Sequence, residues 1–403
     1  MSFEDACRFL FARHTGRIKW SLGPTQALLD VLGHPERHYP TVHVAGSNGK
    51  GSTCALITSA LRERGFRVGT YTSPHLVSAR ERIVVDGVPI DRDAFAQWTD
   101  FLQPHIERTD ASFFEATTAL AFADLAARGV DIGVIEVGLG GRLDATNVIT
   151  PLVSVVTKIA REHTDYLGTD LTAIAREKAG IAKPEVPFVT GERDPVVRDA
   201  LVSEAERRGA NPVTVVDTGR PPGGPLGLIG SHQHGNAWVA LAALDALPPP
   251  FGPTGGAWPQ SFAHAYVPGR FDVRGKWIFD VAHNPDGARV LARTLAEQAP
   301  PKPRHALVGV LGDKDYVGMI EALGPEIDRF VFTTPTSAPT QRRWNLGDLE
   351  RELASQRLTA VFEPDFDRAL AFVQQGAETV IVTGSFHTVG DALARLPGFA
   401  GDD

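Results

Sequence analysis

The sequence predicts an α/β protein: a P-loop-type domain on a mostly parallel sheet over residues 1–262, followed by a smaller Rossmann-like α/β domain over residues 263–403. Three observations carry this. Short β-branched runs alternate with helical stretches, as a parallel sheet with crossover helices requires. A glycine-rich turn, AGSNGKGST, joins the first such run to the first crossover helix. The stretch 248–262, PPPFGPTGGAWPQSF, is rich in Pro and Gly and poor in charge, marking a linker or an irregular loop, and the alternation restarts beyond it.

The totals agree with two domains. A chain of 403 residues exceeds one ordinary core, and 43% hydrophobic with 22% charged residues is a globular composition without an apolar run long enough to span a membrane. A net charge of -8 argues against broad nucleic-acid binding and leaves room for a local basic pocket. Cys7 and Cys54 form neither a metal-ligand pair nor a disulfide framework, and the N-terminus, MSFEDACRFLFARH, has acids where a signal peptide has bases. The expected location is a reducing cytoplasm.

Residues 3–32 have helical spacing, broken at Gly16 and at Gly23-Pro24. Residues 41–45 are β-rich and lead into Gly46, Gly49 and Gly51, which let successive N–H groups and a helix N-terminus face an anion, with Lys50 adding charge and Ser52 or Thr53 a hydroxyl. The usual G-x-x-x-x-G-K-[ST] spacing is not met. Val44 stands where its first Gly would be, and Gly51 separates Lys50 from Ser52, so the loop is either a variant phosphate cradle or a glycine-rich turn with an exposed Lys.

A second strand, 67–71, ends at Ser73, which suits either a cation ligand or a turn cap. Residues 91–128 are helical, and Glu115 inside their apolar part is a paired structural acid or a site residue. The buried strand 131–137 closes on Glu136, the kind of carboxylate that Mg²⁺ needs downstream of a phosphate loop. The glycines that follow fail the dinucleotide fingerprint, because Leu143 holds its third Gly position. Beyond a strand at 152–157 come His163, in a loop, and Lys178, on a helix stopped by Gly180 and Pro184; alone, each reads as a surface residue.

Strands at 188–190 and 213–216 and a helix at 236–247 complete the first domain. In the second, strands are expected at 277–281, 306–310, 329–333, 359–362 and 379–383. Asp280 closes the first of these and is placed to accept from ribose hydroxyls, while Arg270 is placed to reach a phosphate. A helix N-terminus at Asn284 or Asp286, with Pro285 just inside, explains part of this motif.

Eight stretches, HVAGSNGKGST, YTSPHL, FFEATTALAF, IEVGLGGRLDATN, EHTDYLG, EKAGIAKP, PGRFD and DVAHNPDGA, together resemble the folylpolyglutamate synthase and dihydrofolate synthase family, relatives of the Mur ligases. The resemblance implies ATP-dependent joining of L-glutamate to dihydropteroate or to reduced folates through an acyl phosphate. By matching position it implies Gly49, Lys50, Gly51 and Ser52 as the triphosphate cradle, Asn236, Arg270 and Asp280 as further ATP contacts, and Ser73, Glu136 and His163 as Mg²⁺ ligands. Lys178 matches the family's carbamylated lysine, a potential ligand to a second Mg²⁺. The N-terminal stretch 18–24, IKWSLGP, departs from the family's pterin-contacting loop. A Mur-type ligase acting on a peptidoglycan precursor and a P-loop ATP-binding module without ligase chemistry are the alternatives. The family leans monomeric.

Overall fold

A computed structural model describes residues 1–13, 21–161, 164–221, 223–354 and 358–398. The chain forms two compact units: Met1–His75 with Ala79–Gly227 and Gln233–Tyr266, and Leu76–Ser78 with Leu228–His232 and Val267–Asp403.

In the first unit the strands are β1 (Thr41–Ala45), β2 (Val68–Tyr71), β3 (Ile83–Val85), β4 (Val88–Pro89), β5 (Ile132–Glu136), β6 (Val153–Val156), β7 (Phe188–Thr190) and β8 (Val213–Val215). They lie in the order β4-β3-β2-β5-β1-β6-β7-β8 and are parallel from β2 to β8. β1 and β5 are buried at every position, which is why β5 reads as an apolar run, while β1 buries Thr41 and His43 along with its apolar residues. The β3–β4 hairpin, to which the sequence reading assigned no strand, is antiparallel to β2 and turns at Asp86 and Gly87, both at positive φ.

The helical stretch expected over 91–128 is two helices, Arg92–Thr109 and Phe113–Ala127, parted at Asp110, whose φ is 50°. The second is buried along nearly its whole length. Its Glu115 is a capping-box acid that accepts from Ser112 N at 2.7 Å while Ser112 Oγ accepts from Glu115 N, so the structural reading of this carboxylate holds. The Pro- and Gly-rich stretch 248–262 is an irregular loop of this first unit. Arg64 donates to the carbonyls of Pro250 and Phe251, Ser261 Oγ donates to Glu63 at 2.9 Å, and Ser59 Oγ donates to Ser261 O at 3.0 Å, tying the loop to the helix Lys50–Glu63.

The second unit holds β9 (Asp272–Arg274), β10 (Trp277–Phe279), β11 (Arg304–Val308), β12 (Arg329–Phe332), β13 (Ala360–Phe362) and β14 (Thr379–Thr383), in the order β13-β12-β11-β14-β10-β9. Only β9 among them runs antiparallel to its neighbour. Ile278, Ala306 and Ile381 pack with Leu291 and Met319 on one face, and Phe279, Leu307 and Val382 with Phe366 and Val389 on the other. The α/β class and the two-sheet organisation are those the sequence predicts.

Candidate active site

The centre of the first unit's sheet delivers the site. Register pairs Val44 of β1 with Glu136 of β5, and Tyr71 of β2 with Ile135, so the glycine loop, the acid and Ser73 all leave the sheet at its carboxyl edge. Glu136 is 4% exposed, and its Oε2 accepts from Ser73 N at 3.2 Å. A Cβ built on Gly51 would stand 3.8 Å from that same oxygen, which places the carboxylate directly against the loop.

Gly49 opens the helix Lys50–Glu63 at φ 93° with no side-chain cap, so its first N–H groups keep the arrangement an anion needs. A Cβ at Gly49 would also collide with Asn236 Oδ1, and Asn236 is held by an Nδ2 bond to Gln233 Oε1 at 2.8 Å. The conformation and the close approach both demand glycine. Lys50 Nζ folds back on Gly46 O at 3.0 Å and Ser47 O at 3.2 Å, and Ser52 lies buried in the first helical turn.

Lys178, 2% exposed, also donates to Gly46 O, at 3.0 Å. Its helix, Leu171–Ala179, is positioned by the turn after β5. Arg142 N donates to Glu177 O at 3.0 Å, Arg142 Nε to Glu177 Oε2 at 3.0 Å, and Asn147 Nδ2 to Arg142 O at 2.9 Å and Gly180 O at 3.2 Å. Gly141 and Gly180 permit this contact: a Cβ on the first would lie 2.7 Å from Lys178 O, and one on the second would strike Arg142. GGRLDATN and EKAG are therefore one packed body.

Sequence reasoning missed a buried relay beneath the loop. His43, in the middle of β1, has Nε2 2.8 Å from Thr146 Oγ1, and Thr146 Oγ1 donates to Asp144 Oδ1 at 2.5 Å. Asp144 Oδ2 accepts from Gly138 N at 3.1 Å and Leu139 N at 2.8 Å, fixing the main chain just past Glu136. With the hydroxyl proton directed at Asp144, His43 is the Nε2–H tautomer. Burial, with Lys183 nearby, holds His43 down at about 3, and burial pushes the Asp144 carboxyl up against the bonds it accepts. A lone histidine inside an apolar strand was the available signal.

Arg270 and Asp280 meet in the second unit. Asp280 accepts from Phe271 N and Ala282 N, each at 2.9 Å, and burial pushes its carboxyl up while Arg270 and these N–H groups oppose the shift. The helix Pro285–Gln298 begins here, and Asn284 Oδ1 caps it by accepting from Gly287 N at 2.8 Å. Gly49, Lys50, Gly51, Ser52, Ser73, Glu136, Lys178 and Asn236 thus come together in one unit, and Arg270 and Asp280 in the other. His163 lies outside the described residues, as do residues 18–20 of the departing N-terminal stretch.

The chain matches the Mur ligase middle domain over residues 44–220 and the Mur ligase glutamate ligase domain over residues 269–386. It has the two-part architecture of an ATP-dependent acid–amino-acid ligase. It is 31% identical to the dihydrofolate synthase/folylpolyglutamate synthase of Bacillus subtilis, over 98% of this chain and 99% of that protein. Mycobacterium tuberculosis folylpolyglutamate synthase, solved as a complex with ADP, superposes with a TM-score of 0.86 at 34% identity, covering 99% of this chain and 98% of that one. A bifunctional folylpolyglutamate synthase/dihydrofolate synthase solved with Mn, AMPPNP and L-glutamate bound gives 0.83 at 30% identity, with 98% of each chain covered. The chain belongs to the folylpolyglutamate synthase/dihydrofolate synthase family.

Proposed function

We propose that this ligase joins L-glutamate to both dihydropteroate and reduced folates, and that the acceptor's carboxylate is activated by ATP as an acyl phosphate, with ADP and phosphate released. The observation that carries the reading is the gathering at one glycine loop of an uncapped helix N-terminus, two lysines that share the Gly46 carbonyl, and the buried Glu136 carboxylate beside Gly51.

Phosphoryl transfer asks a protein mainly to position groups and neutralise charge. The N–H groups of residues 49–52 and the Lys50 ammonium hold the triphosphate; Lys50 exchanges its loop carbonyls for phosphate oxygens when nucleotide arrives. Asn236 stands against Gly49, where a Cβ would strike its Oδ1, and so lies beside those N–H groups as a further nucleotide contact. The Glu136 carboxylate, bonded to the main chain of Ser73, and the Ser73 and Ser52 hydroxyls are the hard oxygen donors that would hold Mg²⁺. Mg²⁺ held there supplies charge neutralisation on the phosphate oxygens. The acceptor's carboxylate oxygen attacks the γ-phosphorus with loss of ADP. The glutamate amine then attacks the acyl carbon and expels inorganic phosphate, leaving the amide. Arg270 and Asp280 serve as further nucleotide contacts, and His163 as a metal ligand. Lys178 would carry a carbamate, whose negative charge would help hold a second Mg²⁺.

Phosphate release is expected only when ATP, L-glutamate and a pterin acceptor are all present. Mass spectrometry of products from dihydropteroate and from tetrahydrofolate mixtures reads acceptor and chain length together. Product from a uridine-nucleotide peptide, or phosphate release without glutamate, would overturn the reading. Among the described residues no helix is long and apolar enough to cross a membrane, and Cys7 and Cys54 are not joined by a disulfide. A cytoplasmic monomer completes the proposal, checked by sedimentation equilibrium and by fractionation.

A further inference from the structure

The exit of β6, residues 157–160, forms a second wall to the glycine loop. Thr157 Oγ1 donates to Asn48 O at 2.9 Å and lies 3.3 Å from Ala45 O. Ser47 N donates to Lys158 O at 2.8 Å, Asn48 N to the same oxygen at 3.3 Å, and Ser47 Oγ to Ala160 O at 3.0 Å. A Cβ at Gly46 would collide with Thr157 Oγ1, so loop and wall are in close contact as well as bonded. The shape of the loop therefore depends on where the carbonyls of residues 158 and 160 point.

Ile159 lies between those two residues, and its N–H donates to Glu192 Oε2 at 2.7 Å. Glu192 is 5% exposed, and its other oxygen accepts from Arg193 N at 2.8 Å and Asp194 N at 2.9 Å. A carboxylate buried this deeply is costly unless its oxygens are bonded, and here the donors are main-chain groups of two different segments. Helix capping does not account for it, since Asp194 already caps the helix Pro195–Arg207 by accepting from Val196 N and Val197 N.

We propose that Glu192 is a positioning residue for the nucleotide's phosphate cradle: it holds Ile159, hence the carbonyls on either side of it, and so sets the aim of Ser47 and Asn48. The inference rests on the reading of the loop as that cradle and deepens it. In Glu192→Gln an NH₂ group replaces one acceptor oxygen and meets an N–H donor, with little change in size. In Glu192→Ala all three bonds are lost.

The test is calorimetric titration of the full chain with AMPPNP and Mg²⁺, beside ATP and acceptor kinetics and amide hydrogen exchange. Glu192→Gln is expected to weaken AMPPNP binding and raise KM for ATP by about tenfold, with KM for dihydropteroate unchanged. The amides of Ser47, Asn48 and Ile159 should exchange faster. Asp194→Ala removes the neighbouring cap and supplies the comparison: it should lower Tm and leave AMPPNP affinity at the wild-type value. A folded Glu192→Gln or Glu192→Ala protein with wild-type affinity would overturn the inference, as would an equal loss in Asp194→Ala. Wild-type protein that bound no AMPPNP would instead sink the nucleotide reading and the inference with it.

Discussion

Both units end parallel strands in a polar motif and a helix, yet the two helix N-termini are finished differently. At Pro285–Gln298 the Asn284 side chain takes the Gly287 N–H, so one main-chain donor is satisfied internally, and Asp280 is fixed by main-chain groups of its own unit. At Lys50–Glu63 the N-cap is a glycine with no side chain to do this, and Lys50 rests on carbonyls it can leave. The first end is finished for stability, and the second is left in the form an anion would use. On the proposed reading, a strand–turn–helix becomes a phosphate site by what its cap omits.

The comparison is broken most severely at the charges beside the open end. Lys178→Ala is expected to lose at least about 10³-fold in kcat, with partial recovery by formate if a carbamate is the working group. Full activity without added acid would remove Lys178 from the mechanism. Closing the open end comes next: Gly49→Asn supplies a capping side chain and forces a Cβ against Asn236, and AMPPNP affinity in calorimetry should fall by roughly 100-fold. Retained affinity would show that the absent cap is immaterial.

What lies under the open loop gives a third test. His43 has its folded pKa depressed to about 3 from 6.5, so the unfolded chain binds the extra proton first. Its stability contribution is complete above pH 6.5 and is lost as pH falls toward 3, amounting to roughly 2 kcal/mol by pH 5. Urea midpoints should show this loss in the wild type and a flatter profile in His43→Gln; equal slopes would contradict it. Smallest is the opposite operation on the closed end. Asn284→Ala should cost about 1 kcal/mol in chemical denaturation, the usual worth of such a cap.

Much of this was legible in the sequence because the site sits where short-range pattern changes. Glu136 closes an unbroken apolar strand, and Gly46 to Ser52 interrupt a strand–helix transition, so both were found without contacts. Asp280, closing β10, was found in the same way. The partners of those residues were not legible. His43, Thr146 and Asp144 join β1 to a turn about a hundred residues away, and Glu192 meets Ile159 across two strands, so neither link has a local signature. The β3–β4 hairpin escaped for another reason, being too short for alternation to register, although Asp86-Gly87 is a turn pair. Strand ends moved by a residue or two, as at β11, read as 306–310 and found at Arg304–Val308, because both flanks are themselves buried.

A single oxygen, that of Gly46, accepts from two lysine side chains, Lys50 Nζ and Lys178 Nζ, each at 3.0 Å. Positive charges brought this close oppose each other, and negative charge placed beside the same carbonyl offsets that repulsion. On the proposed reading, a bound triphosphate and a carbamate on Lys178 would both bring such charge there. Each would then favour the other's arrival, and dissolved carbon dioxide would be thermodynamically linked to ATP occupancy.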